Sequence, residues 1–232
     1  MRFLVIMTIL VMAAQAQASV PVEKMVPVDH IFVPAGFDSN DTTEVVVSGF
    51  LPNLCHKNPT AKVEMDGKNI NIKLSSLYYH ESNPFCPEMV VPFVENVKLG
   101  LLDKGQYNIT VNGKSQWELQ EKVKIFESQS NSVDDHQYAY VDYIDKDQAS
   151  GEVVLRGYNP SDCFELDKIE YRSNGKDTYS VLPIMKQVSG FCPMKMVPFS
   201  YQWRVPADLP AQKVLLHVRT LDGQSVNSVY MK

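Results

Sequence analysis

The sequence predicts an all-β protein built as two tandem antiparallel β-sandwiches, each with one internal disulfide. Three observations carry that prediction. Short alternating or β-branched runs recur between two-residue turn signals. One long segment of the chain occurs twice, and four cysteines fall at matched places in the two copies.

The strands come first. Residues 44–50 (Glu-Val-Val-Val-Ser-Gly-Phe) are rich in β-branched side chains and run into Leu51-Pro52-Asn53, a turn. Residues 61–65 alternate up to Asp66-Gly67, a two-residue hairpin turn that requires positive φ. Residues 69–74 alternate again, with Ile70, Ile72 and Leu74 on one face. Tyr107-Asn108-Ile109-Thr110-Val111 repeats the pattern, and Asn112-Gly113 turns the chain toward 117–126. The second copy uses Asn174-Gly175 after 168–172 and Asp222-Gly223 after 214–220 in the same way. Beyond the N-terminal leader no long stretch follows a 3.6-residue period, so helices are not expected. About seven short strands per copy, with frequent turn signals, is the rhythm of a sandwich.

The repeat sets the domain boundaries. Residues 44–68 align with 152–176 at an offset of 108, with eight of 25 positions identical, among them Glu44/Glu152, Val46/Val154, Gly49/Gly157 and Cys55/Cys163. At an offset of 106, Phe85-Cys86-Pro87 and Val91-Pro92-Phe93 lie over Phe191-Cys192-Pro193 and Val197-Pro198-Phe199. The openings match too, Val28-Asp29-His30-Ile31 with Val141-Asp142-Tyr143-Ile144. The first sandwich is therefore expected within 19–127, a polar serine-rich linker over 128–133, and the second sandwich over 134–232. Four cysteines allow three pairings, and spacing alone does not choose among them. The repeat does: it favours Cys55 with Cys86 and Cys163 with Cys192. Each bond would close a loop of about 30 residues and contribute about 3–4 kcal/mol in the chain-entropy model.

The N-terminus indicates export. Met1-Arg2 is followed by an uncharged apolar run to Ala14, then by Ala14-Gln15-Ala16 and Ala16-Gln17-Ala18. This order is that of a secretory signal peptide, here residues 1–18, and the run is too short to span a bilayer. A periplasmic or secreted protein is expected, which makes disulfides the default for an even number of cysteines. The composition is 44% hydrophobic and 21% charged with a net charge of −5. Such a chain has enough apolar surface for packed cores and lacks the basic face of a general nucleic-acid binder. No transmembrane segment is expected.

Strand rhythm and copy length resemble the immunoglobulin-like and fibronectin-type-III-like modules of exported bacterial proteins. The resemblance implies a two-sheet sandwich that presents loops. It differs from antibody domains in its cysteines, which follow the second strand and precede the Val-Pro-Phe strand.

Chemistry-bearing motifs are sparse. No metalloprotease, nucleophile-elbow, phosphate-loop or dinucleotide pattern occurs, and no catalytic residue is assigned. His80-Glu81, or His56 with carboxylates, is the nearest to a hydrolase site, and the linker between the copies is the alternative place for one. A copper site is the first metal alternative, because Met194 and Met196 follow Cys192 closely and soft sulfur suits copper(I). Calcium is the second, because Asp38 and Asn40, like Asp145 and Asp147, place oxygens before the same strand in each copy. The repeated Phe-Cys-Pro and Val-Pro-Phe segments have two readings. One is an apolar ledge offering Phe85, Pro87 and Phe93, or Phe191, Pro193 and Phe199, to a partner. The other is a rigid corner leading into an edge strand marked by proline. Tyr78, Tyr79, Tyr138, Tyr140 and Tyr143 add aromatic area. The function expected is that of a non-catalytic exported binding or scaffold protein for a protein, peptide or surface glycan, with no cofactor.

Overall fold

The structure, a computed structural model, describes residues 20–79, 85–130, 132, 134–147 and 152–231. The leader expected over 1–18 lies outside these residues, as do His80 and Glu81. The N-terminal half contains β1 (Val22–Met25), β2 (Val28–Phe32), β3 (Thr42–Leu51), β4 (His56–Asp66), β5 (Asn69–Tyr78), β6 (Val91–Leu101), β7 (Gly105–Val111) and β8 (Leu119–Ile125). The C-terminal half contains β9 (Val141–Asp147), β10 (Glu152–Asn159), β11 (Phe164–Ser173), β12 (Thr178–Gln187), β13 (Val197–Arg204), β14 (Lys213–Thr220) and β15 (Gln224–Met231). A 3-10 turn, Leu221–Gly223, links the last two strands. The fold is an all-β sandwich, as the turn rhythm predicts.

Each half is two sheets around its own core. In the N-terminal half β2-β3-β6 faces the sheet containing β4, β5, β7, β8 and β1. In the C-terminal half β9-β10-β13 faces β11-β12-β14-β15. Val45, Val47 and Val97 meet Ile70, Ile72, Ile109 and Val123 in the first core. Val153 and Leu155 meet Tyr179, Val181, Leu216 and Val218 in the second.

The expectation of wholly antiparallel sheets is corrected. β5 pairs with β7, and β12 with β14, in parallel. The cause is topological: β6 and β13 each lie in the opposite sheet, so the chain reverses twice before it re-enters the first. A second departure is β1. It shares one edge of β5 end to end with β7, pairing Val22–Met25 with Ser75–Tyr78 while β7 pairs with Asn69–Ile72. Asn112, at φ 52°, joins the two: its Oδ1 accepts from the Leu74 amide at 2.8 Å and its Nδ2 donates to the Val26 carbonyl at 2.9 Å. The turn expected at Asn112-Gly113 thus also carries a buried sheet splice. In the C-terminal half residues 137–139 take the same place against β12, through Ala139 N to Pro183 O and Met185 N to Gln137 O.

Gly49 and Gly157 hold matched positions where β2 crosses β3 and β9 crosses β10. A Cβ on Gly49 would lie 2.3 Å from the Pro27 carbonyl oxygen and 2.8 Å from Phe93 Cζ. On Gly157 it would lie 2.0 Å from the Tyr140 carbonyl oxygen and 3.0 Å from Phe199 Cζ. Only hydrogen fits at either place.

β3 and β14 are buried on both faces. Val45 and Val47 enter the N-terminal core, while Val46, with Phe32, packs on Leu215 and Val229 of the other half. The outer face of β2-β3-β6 therefore rests on the outer face of β11-β12-β14-β15.

Candidate functional site

The two disulfides join Cys55 to Cys86 and Cys163 to Cys192, the pairs that the repeat favours. Each ties the segment before β6 or β13 to the turn after β3 or β10. Backbone bonds reinforce the ties: Leu54 N to Pro87 O at 3.2 Å, and Lys195 N to Pro160 O at 3.0 Å. The held segments present apolar side chains outward. Phe85 is 78% exposed and Phe191 79% exposed. Met89 and Val90 accompany the first; Val188, Met194 and Met196 accompany the second, with Met194 at 98%. Pro87 is half-buried and Pro193 exposed.

Two of the six residues expected on the ledge do not belong to it. Phe93 is buried in the N-terminal core, and Phe199 packs against the C-terminal one. Strand parity explains this: odd residues of β6 and β13 turn toward the core across Gly49 and Gly157, while even residues face out. β6 and β13 are edge strands, as the proline reading expects, each paired on one side only among the described residues. Of the tyrosines, Tyr140 and Tyr143 are exposed, but Tyr138 is buried with Leu182 and Ile184.

Among the described residues the metal candidates are not assembled into a site. Met194 and Met196 are separately solvent-exposed, and Cys192 is oxidised. Asp38 Oδ1 accepts from the Asn40 amide at 2.9 Å in a local turn, and Asn40 donates to Ser130 O. Asp145 pairs with Arg156 at 2.5 Å, and Asp147 is placed only as the end of β9. Among the described residues no group of three or more His, Cys, Asp or Glu side chains is arranged around a common point. His56 is buried against Tyr78 with Nδ1 2.7 Å from Ser76 Oγ, and burial pushes its pKa down.

The junction between the halves holds the densest polar chemistry. Buried Arg219 bonds Asp41 and, at 2.7 Å, Asp134, whose other oxygen accepts from the Gly223 amide. Burial pushes Asp134 above the ordinary carboxylate value even beside the guanidinium. On β3, Glu44 accepts from Ser225 and Asn227, both at 2.6 Å, and lies 3.3 Å from His217 Nδ1. His217 Nε2 has no partner among the described residues, so the ring proton is assigned to Nδ1, which faces Asn227 Oδ1 at 2.9 Å and Glu44 beyond it. His30 Nε2 meets Asp177 Oδ2 at 2.8 Å, again between halves. A cleft of about 320 Å³ opens beside this network, lined by Asp38, Asp135, His136, Tyr138 and Arg172 among others. Of the residues expected as a linker, Gln129 lines the cleft and Ser128 is bonded to Ser39. Arg219 thus ties Asp41 of the N-terminal half to Asp134 and the C-terminal half.

Glu44 yields a pH prediction. Burial works against its charge, but the bonds from His217, Ser225 and Asn227 outweigh burial and hold its pKa down to about 2. A carboxylate with a depressed folded-state pKa stabilises the fold above its ordinary value and loses that contribution as pH falls through the lower one. Stability is therefore expected to decline between about pH 4.5 and about pH 2. In Glu44→Gln, urea midpoints should be lower than wild type at neutral pH and flatter across that window.

Sequence reasoning did not assign the junction residues a role. The signal present was burial on both faces: Val45-Val46-Val47 and Val214-Leu215-Leu216 are continuous, not alternating, and the polar residues Glu44 and His217 flank them.

These features define an all-β, disulfide-stapled β-sandwich protein. Residues 45–120 match a family model described as the ORF11 beta-sandwich domain, covering β3 through the start of β8. No curated protein and no solved structure matches the chain. Among the described residues no helix is long and apolar enough to cross a membrane, and two disulfides are compatible with an exported protein.

Proposed function

We propose that the chain is an exported, non-catalytic binding or scaffold protein made of two immunoglobulin-like sandwiches, 19–127 and 134–232, joined through 128–133. Its stapled loops engage a protein or peptide partner. The observation that carries this reading is the matched exposure of Phe85, Met89 and Val90 in one half and Phe191, Met194 and Met196 in the other. Exposed apolar clusters of this kind mark interaction sites in soluble proteins. Methionine adapts its shape to a partner, and phenylalanine supplies contact area at little rotamer cost. The disulfides hold the loops in place before binding, which reduces the ordering entropy lost on association.

A photo-crosslinking side chain placed at position 85 or 191, in protein exported by its own host, should give a discrete adduct. The same probe at exposed Gln120 should not. Phe85→Ser with Phe191→Ser, competing against the probe-bearing chain, should fail to reduce the adduct while leaving the melting temperature unchanged. Absence of any discrete adduct, or the same adduct from position 120, would overturn the reading.

A further inference from the structure

The cleft at the junction, about 320 Å³, falls at the small end of the range for ligand sites. Part of its wall is apolar: Leu182 is buried, and Phe126 is half-exposed. Tyr138 lines it as well and is only 6% exposed, so packing holds the ring in place. Its hydroxyl has no hydrogen-bond partner among the described residues. Burial pushes its pKa up to about 12, so it stays a neutral phenol, set among the charges of Arg219, Asp134, Asp41 and Asp135. Buried polar groups are nearly always bonded, and one left unbonded at the wall of a cleft points to a ligand that completes it.

The charge around the cleft is unbalanced. The carboxylates of Asp38, Asp41, Asp134 and Asp135 face the guanidiniums of Arg172 and Arg219, while Glu127 is matched by Lys104 at 2.6 Å. Asp41 and Asp134 take up Arg219. Asp38 and Asp135 have no ion pair among the described residues: Asp38 accepts from the Asn40 amide at 2.9 Å, and Asp135 from Ser130 Oγ at 3.3 Å. Burial and the charges of Asp41 and Asp135 push the Asp38 pKa up, as suits a carboxylate that lacks a cation. With histidine neutral at pH 8, the cleft keeps an excess of two negative charges. Among the described residues no three acidic or histidine side chains converge on one point, so this excess is spread along the cleft and is not focused as a metal ion needs.

We infer that this cleft binds a small organic dication, two ammonium or guanidinium groups joined by a short methylene chain. Its N–H groups donate to Asp38, Asp135 and the Tyr138 oxygen, bonds strengthened by the opposite charges. Its methylenes lie against Leu182 and Phe126, which a bare metal ion would leave unused. Arg172 is the one cation in the wall without an ion pair among the described residues, and it opposes such a ligand. None of these residues belongs to the stapled loops, so the site stands or falls apart from the partner binding proposed above.

Titration calorimetry of the full disulfide-bonded chain at pH 8 and low salt, with putrescine as the probe, tests the inference. Saturable binding is expected, with butylamine, a single cation of the same chain length, at least about tenfold weaker. Asp38→Asn and Asp135→Asn should each weaken putrescine by about tenfold; asparagine keeps the oxygen that accepts from the Asn40 amide or from Ser130 Oγ. Tyr138→Phe should weaken it by a similar factor and leave the melting temperature unchanged, since that hydroxyl makes no bond in the fold. Arg172→Gln should tighten binding, because it removes a like charge. This gain of affinity cannot come from a misfolded variant and keeps the test valid if an aspartate variant folds poorly. Absence of putrescine binding would overturn the inference. So would equal affinity for butylamine, displacement of putrescine by an equal concentration of calcium, or weaker binding in Arg172→Gln.

Discussion

Gly157→Ala is expected to unfold the C-terminal half of the molecule, and Gly49→Ala the N-terminal half. In both cases the added methyl group would meet a backbone carbonyl oxygen on the crossing chain, Tyr140 or Pro27, well inside contact distance. Neither obstacle is a flexible side-chain tip. Relief requires β9 to lift from β10, or β2 from β3, which opens the ladder of one sheet and displaces Phe199 or Phe93 from its seat. A cost of at least about 3 kcal/mol is expected for each, at or above the upper end for overpacking a core. The two tryptophans provide separate readouts, because Trp117 packs on the first core and Trp203 on the second. Urea unfolding followed by fluorescence, with Trp117→Phe and Trp203→Phe as reporters, should show the mutated half losing its transition first. Gly190→Ala, where no atom lies within 4 Å, should change stability by less than about 0.5 kcal/mol. Unchanged midpoints in Gly49→Ala and Gly157→Ala would show that the strands do not cross as described.

Arg219→Met is expected to loosen the junction by about 3–5 kcal/mol, the usual cost of leaving a buried ion without its partner. The aliphatic chain is largely preserved, but Asp41 and Asp134 lose the guanidinium they share. Asp134, whose carboxyl burial already pushes up, would then prefer to be neutral. Groups with a raised folded-state pKa stabilise below their unfolded pKa and lose that contribution as pH rises. The defect should accordingly be largest at neutral pH and shrink below about pH 4, the ordinary aspartate range. Adding Asp41→Asn and Asp134→Asn to Arg219→Met should recover part of the loss at pH 7. By contrast, Lys104→Met breaks the exposed pair with Glu127 and should cost less than about 1 kcal/mol. Calorimetry of these three variants and the wild type across pH separates these outcomes. A loss in Arg219→Met that does not vary with pH would mean that packing, not charge, holds the junction.

Much of the fold was legible because its signals are local. Ile70, Ile72 and Leu74 alternate with polar residues, and all three are buried in the first core. Asp66-Gly67 and Asn174-Gly175 mark turns, and Gly67 and Gly175 do adopt positive φ. The stapled loops were legible through the repeat, which matched cysteines that spacing alone could not pair. The split between Phe85, which is exposed, and Phe93, which is buried, was not legible in the same way. Both belong to one repeated motif, and only the pleat of β6 decides which residues face the core. The parallel partners of β5 and β12 were hidden as well, since nothing near Asn69 or Thr178 indicates that the following strand will join the other sheet.

The strand content, the turns, the duplication and the disulfide partners follow from the residues in order along the chain, because each depends on short-range chemistry or on comparison of the chain with itself. Tertiary structure alone decided what lies against what. Glu44 and Glu152 are equivalent in the repeat, yet one is buried at the junction, bonded to Ser225 and Asn227, and the other pairs with Arg204 near the surface. Their difference comes from the neighbour: a sheet with Leu215, Val229 and His217 covers the first, and among the described residues no such sheet covers the second. Burial is a property of two surfaces, and a residue's own sequence position specifies only one of them.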